Sequence, residues 1–375
     1  MRIGIDVRPA LYGSTGIGMY VRELVGALGA LGAGDTVHGW GHRLRRRHER
    51  GPRLDWPPSV QVHDRPVPAR LVRWAARVGL DAPRLMGGVD VMHLTDYVLL
   101  PVRSAPLVAT VHDVLFRTLP ECFTPQMRGG LERWMQAVVA RAARLLVPCE
   151  RVRQDLLRLY GVEAARVDVV AHGTPRLAPA GVPGAAPVRD LGRYVLALGT
   201  LEPRKNLPRL LEAMDLVRRR DPGLSLVVVG KRGWLDEPIV AALAARPWAR
   251  HEPAASRERI AGLLRGAELL AFPSLGEGFG LPVLEGAAAG VPVLVGAGTA
   301  CADVGGEAVL AVDPRSVEAL AEGLERLLRD PALRARLVAA GAALAGRHTW
   351  AACARATRAC YAAAQAAPAP AGAGA

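Results

Sequence analysis

The 375-residue sequence predicts an α/β protein built from two doubly wound, parallel-sheet domains. The first observation is that short apolar runs alternate with helical patterns along nearly the whole chain, as in successive βα units. The second is the length, because a chain of this size exceeds what a single core usually supports. The third is a break in the pattern at Thr174 to Leu191, which is rich in Pro, Ala and Gly and has no periodicity.

The first domain is predicted to span residues 1–174, and its elements follow in order. The run Arg2 to Val7 is the first strand, and the amphipathic stretch Gly18 to Leu31 is the first long helix. The later strands are predicted, in chain order, at Val89 to His93, Leu107 to His112, Leu145 to Pro148 and Val167 to Val170.

A linker is predicted at 175–191, and the second domain is predicted over 192–348. Its first strands are Tyr194 to Leu198 and Leu224 to Val229. A last helix at 349–365 is expected to pack back toward the first domain. Residues 366–375, which end in PAPAGAGA, contain no core-forming side chain and are expected to be disordered.

Composition limits the class of protein. Half of the residues are apolar, and no uninterrupted run of about twenty uncharged apolar residues predicts a transmembrane helix. The start MRIGIDV reads as a strand and lacks the core of a signal peptide, so we expect a cytoplasmic protein. The five cysteines form no C-x-x-C pair, which predicts reduced thiols and no zinc cluster. The sequence also lacks a D-x-D motif, so neither a metal nor another cofactor is expected.

The formal net charge is +13, and only Lys205 and Lys231 among the 48 basic residues are lysines. The densest basic segment, His42 to Arg53, suggests contact with an anionic membrane surface, where each basic residue contributes about 1 kcal/mol. A solvated arginine-rich loop is the alternative for this segment. We expect no nucleic-acid partner, because aromatic residues are few and no nucleic-acid motif is present.

The most informative segment is PSLGEGFGLPVLE at 273–285, in which three glycines precede a predicted helix. Glycines in this turn permit positive φ angles and let backbone amides approach a ligand closely. Pro282 fits the first turn of a helix, and Gly290 fits its end. The positive N-terminal end of such a helix favours a phosphate.

Two glutamates bracket this turn. Glu277 is expected beside the phosphate, and Glu285 is expected to accept hydrogen bonds from vicinal hydroxyls of a ribose or sugar. The alternative is a glycine-rich loop with two solvated acids. A hydrolase that uses the two carboxylates as acid and nucleophile is a rival reading, but it accounts for neither the nearby basic pair nor the glycines.

The two lysines each follow a predicted strand, Lys205 in GTLEPRKN and Lys231 in GKRGW. Ligands of open parallel sheets bind at the carboxyl ends of the strands, so both lysines point to the rim that carries the glycine turn. We expect Arg204 and Lys205 to neutralise a diphosphate. An exposed helix-start pair is the alternative for these two residues, and a plain basic turn is the alternative for Lys231.

The strings GTLEPRKNL, VVVGKRGW and FPSLGEGFGLPVLE, in this order and spacing, resemble the retaining family 4 glycosyltransferases of GT-B fold, also called glycosyl transferases group 1, and among them the mannosyltransferase-like members. The likeness extends to MRIGIDVRP at the start, to TVHDVLF and to VPCERVRQDL, and covers nearly the whole chain. It implies two Rossmann-like domains that face each other across a cleft, and transfer of a sugar from a nucleotide donor with retention of configuration.

The resemblance also implies residue roles. His112 of the HD pair would face the donor sugar, and Gly16 of the glycine loop would approach the phosphate. A strand-end histidine bonded to Asp113 and a plain strand-to-helix turn are the alternatives. The candidate catalytic residues are Glu277, His112 and Lys205. The candidate donor-binding residues are Gly16, Arg204, Lys205, Lys231, Gly278, Phe279, Gly280, Leu281 and Glu285. Asp6 and Arg8, just after the first strand, are acceptor candidates.

Two departures from the family pattern bear on which nucleobase the donor carries. A Pro-Glu pair usual after the second glutamate helix is replaced by TACADVGG, with Ala302 and Asp303. The FLG strand motif expected between Trp234 and Ala267 is absent. The motifs therefore predict a diphosphate site but do not predict the nucleobase of the donor.

We expect a metal-independent retaining glycosyltransferase that moves a sugar from a nucleotide-diphosphate donor to a glycan, lipid-linked or metabolite acceptor. GDP-mannose is the first choice of donor, with UDP-glucose-type and dTDP-linked donors open. The alternatives are a nucleotide-sugar epimerase or phosphorylase on the same fold, or a non-enzymatic basic protein that binds nucleic acid or membrane.

Overall fold

The computed structural model describes residues 1–12, 16–42, 54–65 and 81–366. Most of the predicted disordered tail, most of the arginine-rich segment and Gly13 to Thr15 of the glycine loop lie outside these ranges. The chain forms two compact units. Unit 1 comprises Met1–Val114, Gly129–Gly173 and the segment from Thr349 onward, and unit 2 comprises Leu115–Arg128 and Thr174–His348.

Within the described residues, unit 1 contains a seven-stranded parallel sheet in the order β3-β2-β1-β4-β5-β6-β7. Ile3 of the first strand pairs with Val37 on one side and with Val91 on the other. The central strands are buried and apolar because helices cover both faces of a parallel sheet. The strands are β1 (Arg2–Asp6), β2 (Thr36–His42), β3 (Val60–Arg65), β4 (Val91–Leu94), β5 (Leu107–Thr110), β6 (Arg144–Val147) and β7 (Val167–Val169).

Unit 2 contains a six-stranded parallel sheet in the order β10-β9-β8-β11-β12-β13. Its first strand lies in the middle, where it pairs with the second strand on one side and with the fourth on the other. The predicted fold class, two doubly wound parallel sheets, is therefore confirmed. The strands are β8 (Tyr194–Leu198), β9 (Ser225–Val229), β10 (Ala249–Glu252), β11 (Leu269–Phe272), β12 (Val293–Gly296) and β13 (Val309–Val312).

The helices follow local signals in the sequence. Gly161 ends one helix in the left-handed conformation, and the side chains of Ser316 and Asp330 accept hydrogen bonds from backbone amides at the starts of two others. The helices are α1 (Arg8–Tyr12), α2 (Gly16–Gly29), α3 (Ala82–Leu85), α4 (Leu115–Thr118), α5 (Pro125–Arg141), α6 (Glu150–Tyr160), α7 (Leu207–Arg218), α8 (Glu237–Ala244), α9 (Arg257–Gly266), α10 (Leu281–Ala289), α11 (Ala300–Gly305), α12 (Val317–Arg329), α13 (Pro331–Arg347) and α14 (Trp350–Ala366).

The units differ from the predicted domain boundaries at one internal segment. The sequence placed all of 1–174 in the first domain, but Leu115–Arg128 groups with unit 2. One reason is a contact with the rest of unit 2: Leu115, Leu119 and Cys122 form a small apolar cluster against which Leu275 packs. A pattern of short apolar runs does not reveal such a long-range contact.

The segment predicted as a linker, 175–191, contains no helix or strand and packs within unit 2. Ala185 and Val188 are buried there, and the amide of Val188 donates to the carbonyl of Gly262. The last helix, α14, packs against α2 inside unit 1. None of the helices in the described ranges combines the length and apolar character that a membrane crossing needs.

Candidate functional site

The site in unit 2 lies where the loops after β8 and β11 leave the sheet side by side. This is the point at which the strand order reverses, and ligands of open α/β sheets bind at such points. The loop after β8 passes close to the loop after β9, because a Cβ on Gly230 would lie 1.8 Å from the carbonyl oxygen of Gly199. Only glycine fits at position 230.

Asn206 ties the loop after β8 to its neighbours. Its φ of 60° is in the left-handed region, where asparagine is tolerated better than most residues. Its buried Nδ2 donates to the carbonyl of Pro273 at 3.1 Å and to that of Pro314 at 2.6 Å. These bonds fix the 3₁₀ turn Pro203–Lys205, which carries the basic pair.

The glycine-rich turn leads into a helix as the sequence predicts. Gly280 has a φ of 104° and precedes α10, in which Pro282 is the second residue. A Cβ on Gly280 would lie 2.5 Å from Sγ of Cys301, so both backbone angle and space require glycine. Gly290, with a φ of 71°, ends the helix. The predicted helix at the end of the turn is therefore confirmed.

Four charged side chains meet beside this turn, and we call them the charge cluster: Glu202, Arg204, Lys205 and Glu277. Lys205 Nζ lies 2.6 Å from Glu277 Oε1, and Arg204 Nη1 lies 2.7 Å from Glu277 Oε2. Arg204 Nη2 lies 2.6 Å from Glu202 Oε1. Lys205 Nζ also lies 4.4 Å from the ring centre of Phe272, a cation–π contact.

The charge cluster keeps Glu277 ionised. Burial alone would raise the pKa of its carboxyl, but the charges of Arg204 and Lys205, with the hydrogen bond from Lys205, lower that pKa to about 2. The predicted roles of Glu277 and the two cations remain predictions. The structure adds that Glu277 binds both cations.

Glu285 has the opposite environment. It lies in the middle of α10 and is buried, and its carboxylate forms no salt bridge within the part of the chain that the structure describes. Burial raises its pKa to about 7, against a smaller opposing effect of Arg257. Its carboxyl can therefore gain or lose a proton near neutral pH.

The remaining donor-binding candidates of unit 2 lie around the turn. Lys231 is exposed directly after β9, and its carbonyl accepts a hydrogen bond from the amide of Leu201. Phe279 is buried, with its ring edge-on to that of His348 at 6.0 Å. Gly278 and Leu281 are partly buried next to it, and Leu281 is the first residue of α10.

His112 follows β5 in unit 1 and is buried. Its Nε2 lies 2.9 Å from the carbonyl oxygen of Thr95, so Nε2–H is the donor and Nδ1 is left as an acceptor. Burial lowers the pKa of this imidazole, which favours the neutral form. Its ring meets that of Tyr20 edge-on at 5.1 Å.

Asp6 and Arg8 form a pair at the end of β1. Asp6 is wholly buried, and its Oδ1 accepts from the amide of Arg8 at 3.1 Å and from Nε at 2.8 Å, while Oδ2 pairs with Nη2. Asp6 therefore orients Arg8, and the predicted acceptor role of both residues stays a prediction. Gly16 is exposed at the first position of α2.

The structure brings Arg204, Lys205 and Glu277 into direct contact, whereas His112, Gly16, Asp6 and Arg8 belong to unit 1. Sequence reasoning missed Glu202 and Asn206. The acid two positions before Arg204 in GTLEPRKN was a visible signal for Glu202. In the described ranges, no three His, Cys, Asp or Glu side chains form a group that could hold a metal ion.

Comparison with protein-family models gives two matches. Residues 14–176 match the model described as Glycosyltransferase Family 4, and residues 186–343 match the model described as Glycosyl transferases group 1. One relative, the D-inositol 3-phosphate glycosyltransferase of Frankia alni, is 31% identical over 93% of this chain and 94% of its own length. The O-antigen chain mannosyltransferase B of Escherichia coli is 31% identical over 68% of this chain and 69% of its own length.

Solved structures with a similar fold match nearly the whole chain. The sucrose-phosphate synthase of Thermosynechococcus elongatus superposes with a TM-score of 0.74 at 20% identity, covering 98% of this chain and 100% of its own. HepE from Anabaena, solved with UDP-glucose, gives a TM-score of 0.68 at 15% identity, covering 96% of this chain and 99% of its own. At these identities the likeness bears on the fold alone.

Proposed function

The chain belongs to the family 4, or group 1, glycosyltransferases, and from this membership we propose that it transfers a sugar from a nucleoside-diphosphate donor with retention of configuration and without a metal ion. Membership makes the protein a glycosyltransferase, which disfavours the epimerase, phosphorylase and binding-protein alternatives. The donor, the stereochemistry and the metal independence belong to the proposal.

The observation that carries the proposal is the basic pair at the strand-order reversal of unit 2. Breaking a glycosyl–phosphate bond leaves a diphosphate with developing negative charge, so stabilisation of that charge is the main catalytic need. Arg204 and Lys205 lie beside the glycine-rich turn at the start of α10, and Glu277 holds both of them in place. The cations and the helix N-terminus would together bind the diphosphate that a metal ion binds in other enzymes.

The state of Glu277 bears on the stereochemistry. A carboxylate that is ionised and paired with two cations is poorly placed to act as a general acid, and its nucleophilicity is reduced. This favours attack by the acceptor on the face from which the diphosphate leaves, with the leaving phosphate oxygen taking the acceptor proton. It disfavours the acid-and-nucleophile pair of a retaining hydrolase.

Further residues enter the proposal in supporting roles. Glu285 would accept hydrogen bonds from the ribose hydroxyls, and exposed Lys231 would add a charge near the diphosphate. The Nδ1 of neutral His112 would accept a hydrogen bond from a sugar hydroxyl. Asp6 and Arg8, which Asp6 orients, remain the acceptor candidates.

GDP-mannose is the first donor to test, because one relative is named a mannosyltransferase and the motifs are mannosyltransferase-like. A thermal-shift series with GDP-, UDP- and dTDP-sugars, all with EDTA, separates the donors. A ligand at 100 times its dissociation constant stabilises the protein by about 2.7 kcal/mol. A shift with one nucleotide class names the base and supports metal independence, and no shift with any of them contradicts the donor site.

Transfer itself is tested by incubating the protein with the stabilising donor and candidate acceptors in EDTA. Relatives act, by name, on an O-antigen chain and on inositol 3-phosphate, so a mannosylated glycan and an inositol phosphate are the first acceptors. NMR of the anomeric proton then reports retention or inversion. An inverted product would contradict the same-face mechanism while leaving the donor site intact.

Peripheral attachment to an anionic membrane remains a separate proposal that rests on the sequence of His42 to Arg53. Cosedimentation with phosphatidylglycerol vesicles tests it, with phosphatidylcholine vesicles as the control. Binding to both or to neither lipid contradicts an electrostatic attachment.

A further inference from the structure

Trp234 contacts a segment of unit 2 that lies more than 100 positions earlier in the chain. Its indole Nε1 donates to the carbonyl oxygen of Cys122 at 2.7 Å, and its ring stacks on that of Phe123 with the centres 5.8 Å apart and the planes inclined by 29°. Cys122 and Phe123 belong to Leu115–Arg128, the segment that leaves unit 1 in sequence but packs in unit 2. We call the contact of Trp234 with these two residues the aromatic clamp.

The segment Leu115–Arg128, which the aromatic clamp holds, packs against the glycine-rich turn. Leu115, Leu119 and Cys122 form an apolar cluster to which Phe123 and Leu275 add their side chains. A Cβ on Gly276 would lie 2.6 Å from Cδ1 of Leu119 and 2.8 Å from Cδ2 of Leu115. The turn therefore has no free space on this side, and a displacement of the cluster moves it directly.

The same two turn residues, Leu275 and Gly276, also contact Arg204 of the basic pair. The amide of Leu275 donates to the carbonyl of Arg204 at 2.8 Å, and Nη1 of Arg204 lies 3.3 Å from the carbonyl oxygen of Gly276. The next residue, Glu277, binds both cations. An unbroken series of contacts thus joins the aromatic clamp to the charge cluster.

The loop that carries Trp234 is itself held in an unusual shape. Leu235 has a φ of 52°, a conformation that a leucine rarely adopts, and its side chain is exposed. Arg232 closes the loop with two hydrogen bonds to Asp236 at 2.7 and 3.0 Å. A strained backbone conformation of this kind persists only where the surrounding structure holds it in place. The strained residue, Leu235, is next to Trp234 of the aromatic clamp.

We propose that Trp234 is a positioning residue for the donor site, which acts through Leu115–Arg128 to set the place of the turn and hence of Glu277 and the basic pair. The inference rests on the proposed donor site. It assigns Trp234 no contact with the substrate. Small displacements of binding groups weaken affinity strongly, so loss of the clamp should appear in donor binding.

The test measures the dissociation constants of GDP, UDP and dTDP by calorimetry on the full chain. Trp234→Ala removes stacking and hydrogen bond together, and we expect the dissociation constant of the nucleotide that binds to rise about tenfold. Trp234→Phe retains an aromatic ring for stacking on Phe123 and should restore affinity to within about threefold of the unaltered protein.

Trp248→Ala is the matched control. Trp248 lies in the same unit, packs on its core and contacts the guanidinium of Arg218 at 5.0 Å. Its loss should lower the unfolding midpoint without changing nucleotide affinity. A rise in dissociation constant for Trp248→Ala equal to that for Trp234→Ala would reduce the effect to general instability and overturn the proposal.

Two outcomes separate this inference from the function on which it rests. If the unaltered chain binds none of GDP, UDP and dTDP, the proposed donor site fails. If the unaltered chain binds one of them and Trp234→Ala binds it equally well, the donor site stands and the positioning role is wrong. If Trp234→Ala does not fold, Phe123→Leu takes its place, since it removes the stacking from the other side of the clamp.

Discussion

Glu277 and Glu285 come from one short motif and are buried to the same degree, at 9% and 8% exposure, yet the pKa values of their carboxyls are shifted in opposite directions. The pKa of Glu277 is lowered to about 2, and that of Glu285 is raised to about 7. The first has two cations within hydrogen-bonding distance, whereas the second is influenced by Arg257 without pairing with it in the described ranges.

The difference shows that motif spacing sets the place of a carboxylate but not its charge. Arg204 and Lys205, more than 70 positions earlier in the chain, determine the ionisation of Glu277. A paired, ionised glutamate suits the task of holding cations for a diphosphate. A glutamate that titrates near neutrality suits reversible hydrogen bonding to hydroxyls, and its affinity for them should depend on pH.

The largest effect should come from Glu277→Ala. Removing one partner of a buried ion pair typically costs about 3–5 kcal/mol, because the other charge stays buried without compensation. We expect the free energy of unfolding at pH 7 to fall by this amount, and sugar transfer to be lost. Urea denaturation and a transfer assay measure the two effects.

Glu325→Ala is the control for this variant. Glu325 pairs with Arg220 across the surface, where Arg220 is 67% exposed, and such pairs contribute about 0.5 kcal/mol. Equal losses in the two variants would mean that Glu277 is not paired with the cations in solution.

The low pKa of Glu277 also predicts how the stability of the protein depends on pH. Stability that it provides is present above about pH 4.5 and is lost as the pH falls toward about 2, by about 3 kcal/mol over the 2.5 units from 4.5 to 2.

Lys205→Met should make Glu277 more like Glu285. The substitution retains much of the side-chain length and removes the charge, so the pKa of Glu277 should rise above about 2. Loss of a cation that stabilises the leaving diphosphate should lower kcat about 10²–10³-fold, as removal of a single transition-state donor does elsewhere. Steady-state kinetics check this against Lys231→Met, whose exposed side chain should have the smaller effect. A larger loss for Lys231→Met would reassign the main diphosphate contact.

The elements that sequence could predict are those fixed by short-range chemistry. The glycine-rich turn, the helix Leu281–Ala289 and its end at Gly290 follow from residues whose backbone preferences act locally. The alternation of strands and helices likewise predicted both sheets. These features need no knowledge of what lies next to them in space.

The parts that sequence did not predict depend on contacts between distant positions. Asn206 reaches the carbonyl of Pro314 across 108 positions, and Trp234 reaches that of Cys122 across 112. The pairing of Glu277 with both cations is of the same kind, and so is the assignment of Leu115–Arg128 to unit 2. Charge states and domain boundaries follow from such contacts, which no local pattern contains.

Glu285→Gln should remove a pH dependence that the unaltered protein shows between about pH 4.5 and 7, above the range in which Glu277 acts. A raised folded-state pKa provides stability that is complete below about pH 4.5 and is lost as the pH rises through about 7. The 2.5 units from 4.5 to 7 correspond to about 3 kcal/mol. Unfolding free energies at pH 5 and pH 8 should therefore differ by about this much more in the unaltered protein than in Glu285→Gln.

Glu322→Gln is the matched control for that comparison, because Glu322 is exposed on α12. Its pH dependence should match that of the unaltered protein. Identical profiles for all three proteins would place the pKa of Glu285 in its ordinary range, and the contrast between the two glutamates would disappear.

The smallest effect should come from Arg257→Gln. Arg257 lowers the pKa of Glu285 from a distance, against the larger effect of burial, so its removal should raise that pKa slightly above about 7. Carbon-13 NMR of the labelled Glu285 carboxyl measures the midpoint directly. Arg250→Gln, which removes an exposed charge from strand β10, should leave the midpoint unchanged. Equal shifts in both variants would indicate a response to net charge alone, and a shift only in Arg257→Gln would show that Glu285 senses a specific neighbour despite lacking an ion pair with it.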